Sequence, residues 1–401
     1  MNDIKNMKHQ QSLPEPSIDA LLHSQKLIAR IRDEITSNNG SISFRHYMEM
    51  ALYEPSFGYY VAGSYKIGEL GDFITAPEIS SLFSQCIAQQ CKEVLLEIGG
   101  TTTSSNASIL ELGAGTGKMA TDILLTLENN DCLPNQYYIL DLSPDLKQRQ
   151  KETFEKHAPH LLRYVTWLSQ LPESFTGIIL GNEVLDAMPV NVFTQLNTEV
   201  FEHHVVWEDG QFMEQLQKAD EDLSNNVLSL KIPSEDTPYT SEINPNLPAW
   251  FETISGCLKK GVILLADYGY PRKEYYFSER NKGTLICHYQ HLVNEAPLHY
   301  TGLQDITASV DFTAVAEAAD DADLKVAGFA TQATFLSNSG LEEFFVRALE
   351  KNPDDQYKLA QQIRTLSLPA EMGERFKFIA LSKNYSRPLQ GFSKLDQRMR
   401  L

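Results

Sequence analysis

Apolar residues change their spacing several times along the chain, and the changes divide it. From Ile18 to Ile35 they fall at Ile18, Leu21, Leu22, Ile28, Ile31 and Ile35, one face of a helix. Residues 1–16 before it are polar, contain two prolines and show no such pattern. A second short helix is expected after Ser43. A long one starts near Pro77 and closes on "EIGG", where glycine suits a C-cap. Between them "GSYKIGELGDFITAPEIS" is glycine-rich and reads as an ordered loop.

From residue 108 the pattern becomes short apolar runs separated by amphipathic stretches. Ser108–Leu112, Tyr137–Leu142, Arg163–Leu168, Gly177–Leu180 and Gly261–Tyr268 are expected strands, with helices near 117–128, 144–157 and 246–258. Runs that are apolar throughout belong in a sheet covered on both faces, so the alternation predicts a parallel α/β core. Residues 191–232 interrupt it. There "EVFEHHVVWEDGQFMEQL" sets Asp209-Gly210 between β-rich flanks, a hairpin signal. The stretch 269–310 is expected to be irregular. "LKVAGFA" and "RFKFIALSK" add two strands, with helices between them at roughly 341–368. The division that follows is a polar extension and helix (1–40), an N-terminal helical and lid segment (41–107) and the first part of the core (108–190). An inserted hairpin subdomain (191–245), the second part of the core with a helical insertion (246–385) and a tail (386–401) complete it.

Charge narrows the partners. Lys and Arg total 34 against 53 for Asp and Glu, a formal net charge of −19. Such a surface repels phosphate backbones, so no nucleic-acid partner is expected; a basic peptide or cationic ligand fits better, and solubility alone is the plainest reading. Cys86, Cys91, Cys132, Cys257 and Cys287 are odd in number and form no CxxC pair, which points to reduced thiols and to no metal site. No stretch reaches the ~18 continuous apolar residues of a membrane helix. The N-terminus has no apolar h-region and carries acids. A cytoplasmic location without membrane span, signal or transit peptide is therefore expected.

Candidate chemistry begins at "ILELGAGTGKMATDILLTL", where Gly113, Gly115 and Gly117 follow the first strand and open a helix. Glycines allow a tight turn and let a ligand touch the backbone, and the helix N-terminus adds positive potential. The spacing is GxGxG with Glu111 in front, not the GxGxxG of dinucleotide sites, and no P-loop Lys-Ser/Thr follows. Asp141 closes "ILDLS" at a strand tip, where ligands of open α/β sheets sit and where a carboxylate grips two ribose hydroxyls. Glu111, Gly113, Ala114, Gly115, Gly117, Asp141 and Leu142 are thus assigned to S-adenosylmethionine (SAM), ahead of NAD or a bare βα turn.

Taken together the chain resembles the MidA-type methyltransferases, a family that includes the mitochondrial protein arginine methyltransferase assisting complex I assembly. The resemblance runs from about Ser41 to Asn384. It rests on "ISFRHYMEMALYEPSFGYY", "GDFITAPEIS", "LELGAGTG", "YYILDLSPDLKQRQ", "GNEVLDAMPV", "SEINPNLPAW", "DYGY", "GTLICHYQH" and "LQDITASVDFTAVAEA", in that order. It implies a Rossmann-like class I SAM-dependent methyltransferase core with an N-terminal helical segment and inserted hairpin and helical elements. It also implies a protein substrate, with a respiratory-complex subunit as one candidate; a homo-oligomer stays open. Two positions depart from the family pattern: Ser309 stands where His is common, and His288 where an aromatic is usual.

"GIILGNEVLDAMPV" then presents Asn182, Glu183 and Asp186 with no Lys or Arg beside them in sequence. A guanidinium nucleophile needs its charge balanced and its fork aligned, and carboxylates do both. These three are the catalytic candidates. The competing reading has Asp186 capping the turn before Pro189 and Glu183 bonding backbone amides. In "GDFITAPEIS", Gly71, Asp72, Phe73 and Thr75 are expected to fold over the cofactor as a lid, with Glu78 adding an acid on the substrate side. A Thr75–Glu78 capping box is the alternative. Asp267, Tyr268, Asp305 and Thr307 are further substrate-side candidates, each with a structural role as its alternative. Arginine methylation of a protein leads the functional readings. Methylation of another nucleophile and a SAM-binding assembly factor remain beside it.

Overall fold

Seven strands form the main path of the central sheet, beside which the short strand Val310–Asp311 pairs with the fifth: β1 (Ser108–Leu112), β2 (Tyr137–Leu140), β3 (Val165–Leu168), β4 (Phe175–Asn182), β5 (Leu258–Tyr270), β6 (Lys325–Thr331) and β7 (Phe376–Lys383). They belong to a computed structural model that describes residues 13–62, 74–99, 106–141, 143–232 and 237–401. Their order is β6-β7-β5-β4-β1-β2-β3. Neighbours from β5 to β3 are parallel, and β7 runs antiparallel to both β5 and β6. This is the doubly wound 3-2-1-4-5-6 order with an antiparallel strand wedged between the fifth and sixth. The chain switches sides between β1 and β4, so a crevice opens beyond the carboxyl ends of those two strands.

Alternation within each strand feeds two cores. Ile109, Ile178, Leu180, Val262 and Leu264 pack on one face with helices Ser81–Gly99 and Lys118–Glu128. Leu110, Ile179, Ile263 and Leu265 pack on the other with helices Leu247–Cys257 and Phe312–Asp321. Both faces are covered, which is why these runs read as apolar throughout. The helices expected near 117–128, 144–157 and 246–258 are Lys118–Glu128, Pro144–His157 and Leu247–Cys257. The strand expected from Arg163 starts only at Val165, because Pro159–Tyr164 forms a 3-10 turn.

The insertion is larger than a hairpin. Asn191–Leu196, Glu199–Glu208, Gln211–Lys218 and Tyr239–Ile243 build an antiparallel sheet that also recruits Ile42–Ser43 from the N-terminal segment. Asp209 and Gly210 turn its hairpin with φ of +49° and +83°, the sign pair that a type I′ turn needs. Residues 269–310, expected to be irregular, contain the short helix Arg272–Tyr275 and a three-stranded sheet of Leu292–Asn294, Ile286–Tyr289 and Asp305–Thr307. Strands of three or four residues are too short to display a period of two. Leu27, Ile31, Phe44 and Tyr47 share one core with Val192, Val205 and Phe212 of the insertion and with Cys287 and Ile306 of the small sheet. Ser24 Oγ donates to the Thr301 carbonyl at 2.7 Å, across the same joint. Three segments far apart in sequence therefore form one layer, and it crosses the boundaries drawn at residues 40, 190 and 245. Among the described residues no helix is long and apolar enough to cross a membrane, and all five cysteines are free and buried.

Candidate active site

The glycine loop leaves β1 with Gly113 N–H donating to the Leu140 carbonyl at 3.0 Å. Gly113, Gly115 and Gly117 have φ of +64°, +54° and +81°, so other residues there would be strained. A Cβ on Gly117 would also stand 2.9 Å from Gln150 Cα. Glu111 is buried and accepts from the Tyr137 hydroxyl at 2.5 Å. Burial pushes its carboxyl up to about 7, against the pull of that hydrogen bond.

Asp141, at the tip of β2, accepts from Ser143 N–H at 3.1 Å and from Gln150 Nε2 at 2.9 Å. Gln150 also donates to the Gly115 carbonyl at 3.1 Å and accepts from Trp167 Nε1 at 2.9 Å. This buried amide ties the acid of β2 to the loop of β1. Sequence reasoning missed it, since "KQRQK" looks like a solvated helix face. Its only signal was the tight Gly117 beside it.

Thr116 Oγ1 donates to the Glu78 carboxylate. Glu78 therefore sits against the glycine loop. Thr75 is the N-cap of Ala76–Ile79 but makes no side-chain cap bond, so the capping box does not form. Both residues line the cavity described next. Gly71, Asp72, Phe73 and Leu142 lie outside the described residues.

A cavity of about 780 Å³ runs along the carboxyl ends of the strands. It begins at Glu111, Gly113, Ala114, Gly115 and Asp141, and passes Asn182, Glu183 and Asp186 to Tyr268, Asp305 and Thr307. Gly117 and Asp267 stand behind the wall. Glu183 is the first residue after β4 and holds φ at +54°, a left-handed conformation that disfavours a side chain. Its N–H donates to the Ala266 carbonyl at 2.9 Å. Asp267 fixes the rest of the turn: Oδ2 accepts from Leu185 N–H at 2.9 Å and Asp186 N–H at 3.2 Å, and Oδ1 from Tyr268 N–H at 2.9 Å. Asn182 Nδ2 donates to Glu183 Oε1 at 2.9 Å.

These acids are crowded and dry. Burial and then the Asp186 charge push Glu183 up to about 8. Burial and then the Glu183 charge push Asp267 up to about 8. Burial, Asp267 and Asp305 raise Asp186 well above the carboxylate range. Among the described residues none of these three forms a salt bridge, and no cation is among the main causes of their shifts. Among the described residues Asn182 Oδ1, Asp186 Oδ1 and the Tyr268 hydroxyl are buried without a hydrogen bond of good geometry, and all three residues line the cavity. Buried polar atoms left in this state suit a polar ligand.

Two tyrosines that sequence reasoning missed close the far wall. Tyr60 donates to Asp305 at 2.8 Å and stacks on Tyr53, ring centroids 5.5 Å apart, while Tyr53 donates to the Ala187 carbonyl at 2.9 Å. Both come from "ALYEPSFGYY", far from the core in sequence. Thr307 Oγ1 donates to the Ile286 carbonyl at 3.3 Å. His288 and Ser309, the two departures from the family pattern, line this end as well. Burial lowers the His288 pKa.

A parallel sheet with an antiparallel seventh strand, a glycine loop at the switch point, an acid at the tip of β2 and a cavity continuing onto buried acids define a SAM-dependent methyltransferase of the Rossmann-like class I type. A family model described as S-adenosyl-L-methionine-dependent methyltransferase matches residues 86–330, and the chain belongs to that family. It is similar to the protein arginine methyltransferase NDUFAF7, mitochondrial, of Homo sapiens, 30% identical over 86% of this chain and 80% of that one. The Drosophila melanogaster homologue of that protein is 29% identical over 94% of this chain and 89% of its own. A crystal structure from Burkholderia thailandensis, bound to S-adenosyl-homocysteine, superposes with a TM-score of 0.91 at 38% identity, covering 97% of this chain and 100% of that one. The cofactor is SAM. The left-handed loop at the cavity wall and the acids of β1 and β2 beside it fit that group.

Proposed function

We propose that the protein methylates an arginine guanidinium on a protein substrate. The observation that carries this reading is the set of buried carboxylic acids at Glu183, Asp186 and Asp267, which form no salt bridge among the described residues. Burial and mutual repulsion hold several such acids towards their protonated forms, and a ligand that brings its own positive charge is what allows them to ionise. A planar guanidinium does so and matches carboxylate forks. The arginine methyltransferase names of the relatives support the same acceptor.

In this reading Glu111, Gly113, Ala114, Gly115 and Asp141 hold the cofactor, with Asp141 on the ribose hydroxyls. Bound there, SAM supplies an electrophilic methyl group on a sulfonium. Glu183 and Asp186 align the guanidinium, and Asn182 orients Glu183. As the N–C bond forms, the C–S electrons stay on sulfur. The proton displaced from nitrogen passes to the Glu183 carboxylate and on to solvent. Asp267 acts through the turn it holds. Alignment of two partners alone supplies ~7–11 kcal/mol in favourable cases.

The test is incubation with methyl-labelled SAM and a lysate from cells lacking the protein, followed by hydrolysis of the labelled protein. Label in methylarginine is expected. Label in another residue or only in small molecules refutes the arginine assignment.

A further inference from the structure

Three cations gather where the cavity reaches the ends of β5 and β7. The Arg280 guanidinium lies 4.0 Å from the Tyr270 ring centroid and, among the described residues, donates only to main-chain carbonyls, those of Glu274 and Tyr275. Lys377 Nζ lies 5.8 Å from the same ring and donates to the Glu374 carbonyl. Arg375, immediately before β7, lines the cavity together with Arg280 and Tyr270. Among the described residues none of the three forms a salt bridge, although acids outnumber Lys and Arg by 53 to 34. The nearby Glu274 carboxylate is paired with Arg400. Like charges left together in this way repel, and an anion placed among them gains charge-assisted, bidentate hydrogen bonds.

The sheet order fixes where that anion would sit. β7 is two strands from β4, which carries Glu183, so roughly 10 Å separates the two ends. β2, which carries Asp141, lies two strands from β4 in the opposite direction. The cation group is thus on the far side of Glu183 from the ribose-side acid. We propose that Arg280 and Arg375 form a subsite for a carboxylate carried by the methyl acceptor. An acidic group within about three residues of the target spans this gap in an extended chain, at ~3.3 Å per residue. The inference deepens the arginine reading and rests on it for the choice of probes.

The experiment is calorimetry on protein loaded with S-adenosyl-homocysteine. The probes are acetyl-Gly-Arg-Gly-Glu-amide and its Glu-to-Gln counterpart, and in parallel free arginine and argininamide. The acidic member of a pair is expected to bind about tenfold or more tightly. Arg375→Gln, at an exposed position, should erase the preference and leave S-adenosyl-homocysteine affinity unchanged. Arg280→Gln should do the same, though it also loses two carbonyl contacts. Whichever pair shows the preference identifies the carboxylate as side-chain or α. Equal binding within both pairs, or no binding by any probe, overturns the subsite. A fall in S-adenosyl-homocysteine affinity overturns it too, by assigning the cations to the cofactor's carboxylate. A preference that persists without any arginine methylation leaves the subsite standing and refutes the proposed acceptor.

Discussion

Replacing Glu183 with Gln should make the protein more stable and far less active. Glu183 is raised from an ordinary 4.5 to about 8, chiefly by burial and then by Asp186. A raised acid supports the fold only while protonated. Its contribution is whole below 4.5 and is lost as pH climbs through about 8. At about 1.36 kcal/mol per pH unit, that interval corresponds to roughly 4–5 kcal/mol of charge burial. Gln cannot ionise, and it keeps an acceptor for Asn182 Nδ2. Denaturant unfolding of cofactor-free protein should therefore show the two forms within about 1 kcal/mol at pH 5. Near pH 9 the variant should lead by up to about 4 kcal/mol. On the same preparation, S-adenosyl-homocysteine affinity should be unchanged and methyl transfer should fall ~100-fold or more. A stability difference independent of pH would refute the buried-charge argument. Full activity would make Glu183 a structural acid, and lost cofactor binding would move it into the cofactor pocket.

Asp141→Ala removes a charge-assisted contact worth roughly 1.5–3 kcal/mol, so cofactor affinity should fall about 10-fold to 100-fold by calorimetry; a change within twofold would leave the acid a helix-capping group. Gln150→Leu strips the donor from Asp141 and Gly115 and leaves Trp167 N–H unpaired. It should cost about 1–3 kcal/mol of stability and several-fold in cofactor affinity, and unchanged affinity would show that Gln150 does not position Asp141. Asp267→Asn loosens the turn that presents Glu183, so kcat should drop with little change in cofactor affinity. An unaltered kcat would mean that the turn holds itself.

The glycine-loop end of the cavity was legible in sequence because it is local. Glu111, the three glycines and Asp141 sit at strand ends whose apolar runs announce them, and the parallel core follows from the same runs. The opposite end was legible only in part. Asn182, Glu183 and Asp186 stand in one short stretch, but Tyr53, Tyr60, Arg280 and His288 reach the wall through contacts between segments that carry no period of their own. Gln150 was invisible for a different reason: a buried amide in a polar helix differs from a solvated one only by what lies across from it. The contact of Glu78 with the glycine loop was not legible because its partner, Thr116, is 38 residues away. Asp267 was noticed, yet its work on three backbone amides is apparent only once β5 is laid beside β4.

The shared layer of N-terminal segment, insertion and small sheet bears on the chain as it leaves the ribosome. Helices Ile18–Ser37 and Phe44–Tyr53 are made first, but their apolar faces wait for Val192 and Val205, and then for Cys287 and Ile306. The wall that carries Tyr53 and Tyr60 cannot settle until Asp305 has emerged to take the Tyr60 hydroxyl. β1 and β2 with their glycine loop are synthesised long before that moment, whereas β7 arrives near the end. A nascent chain therefore holds the glycine-loop end of its cavity well ahead of the tyrosine wall, so the cavity is complete only when synthesis is nearly over.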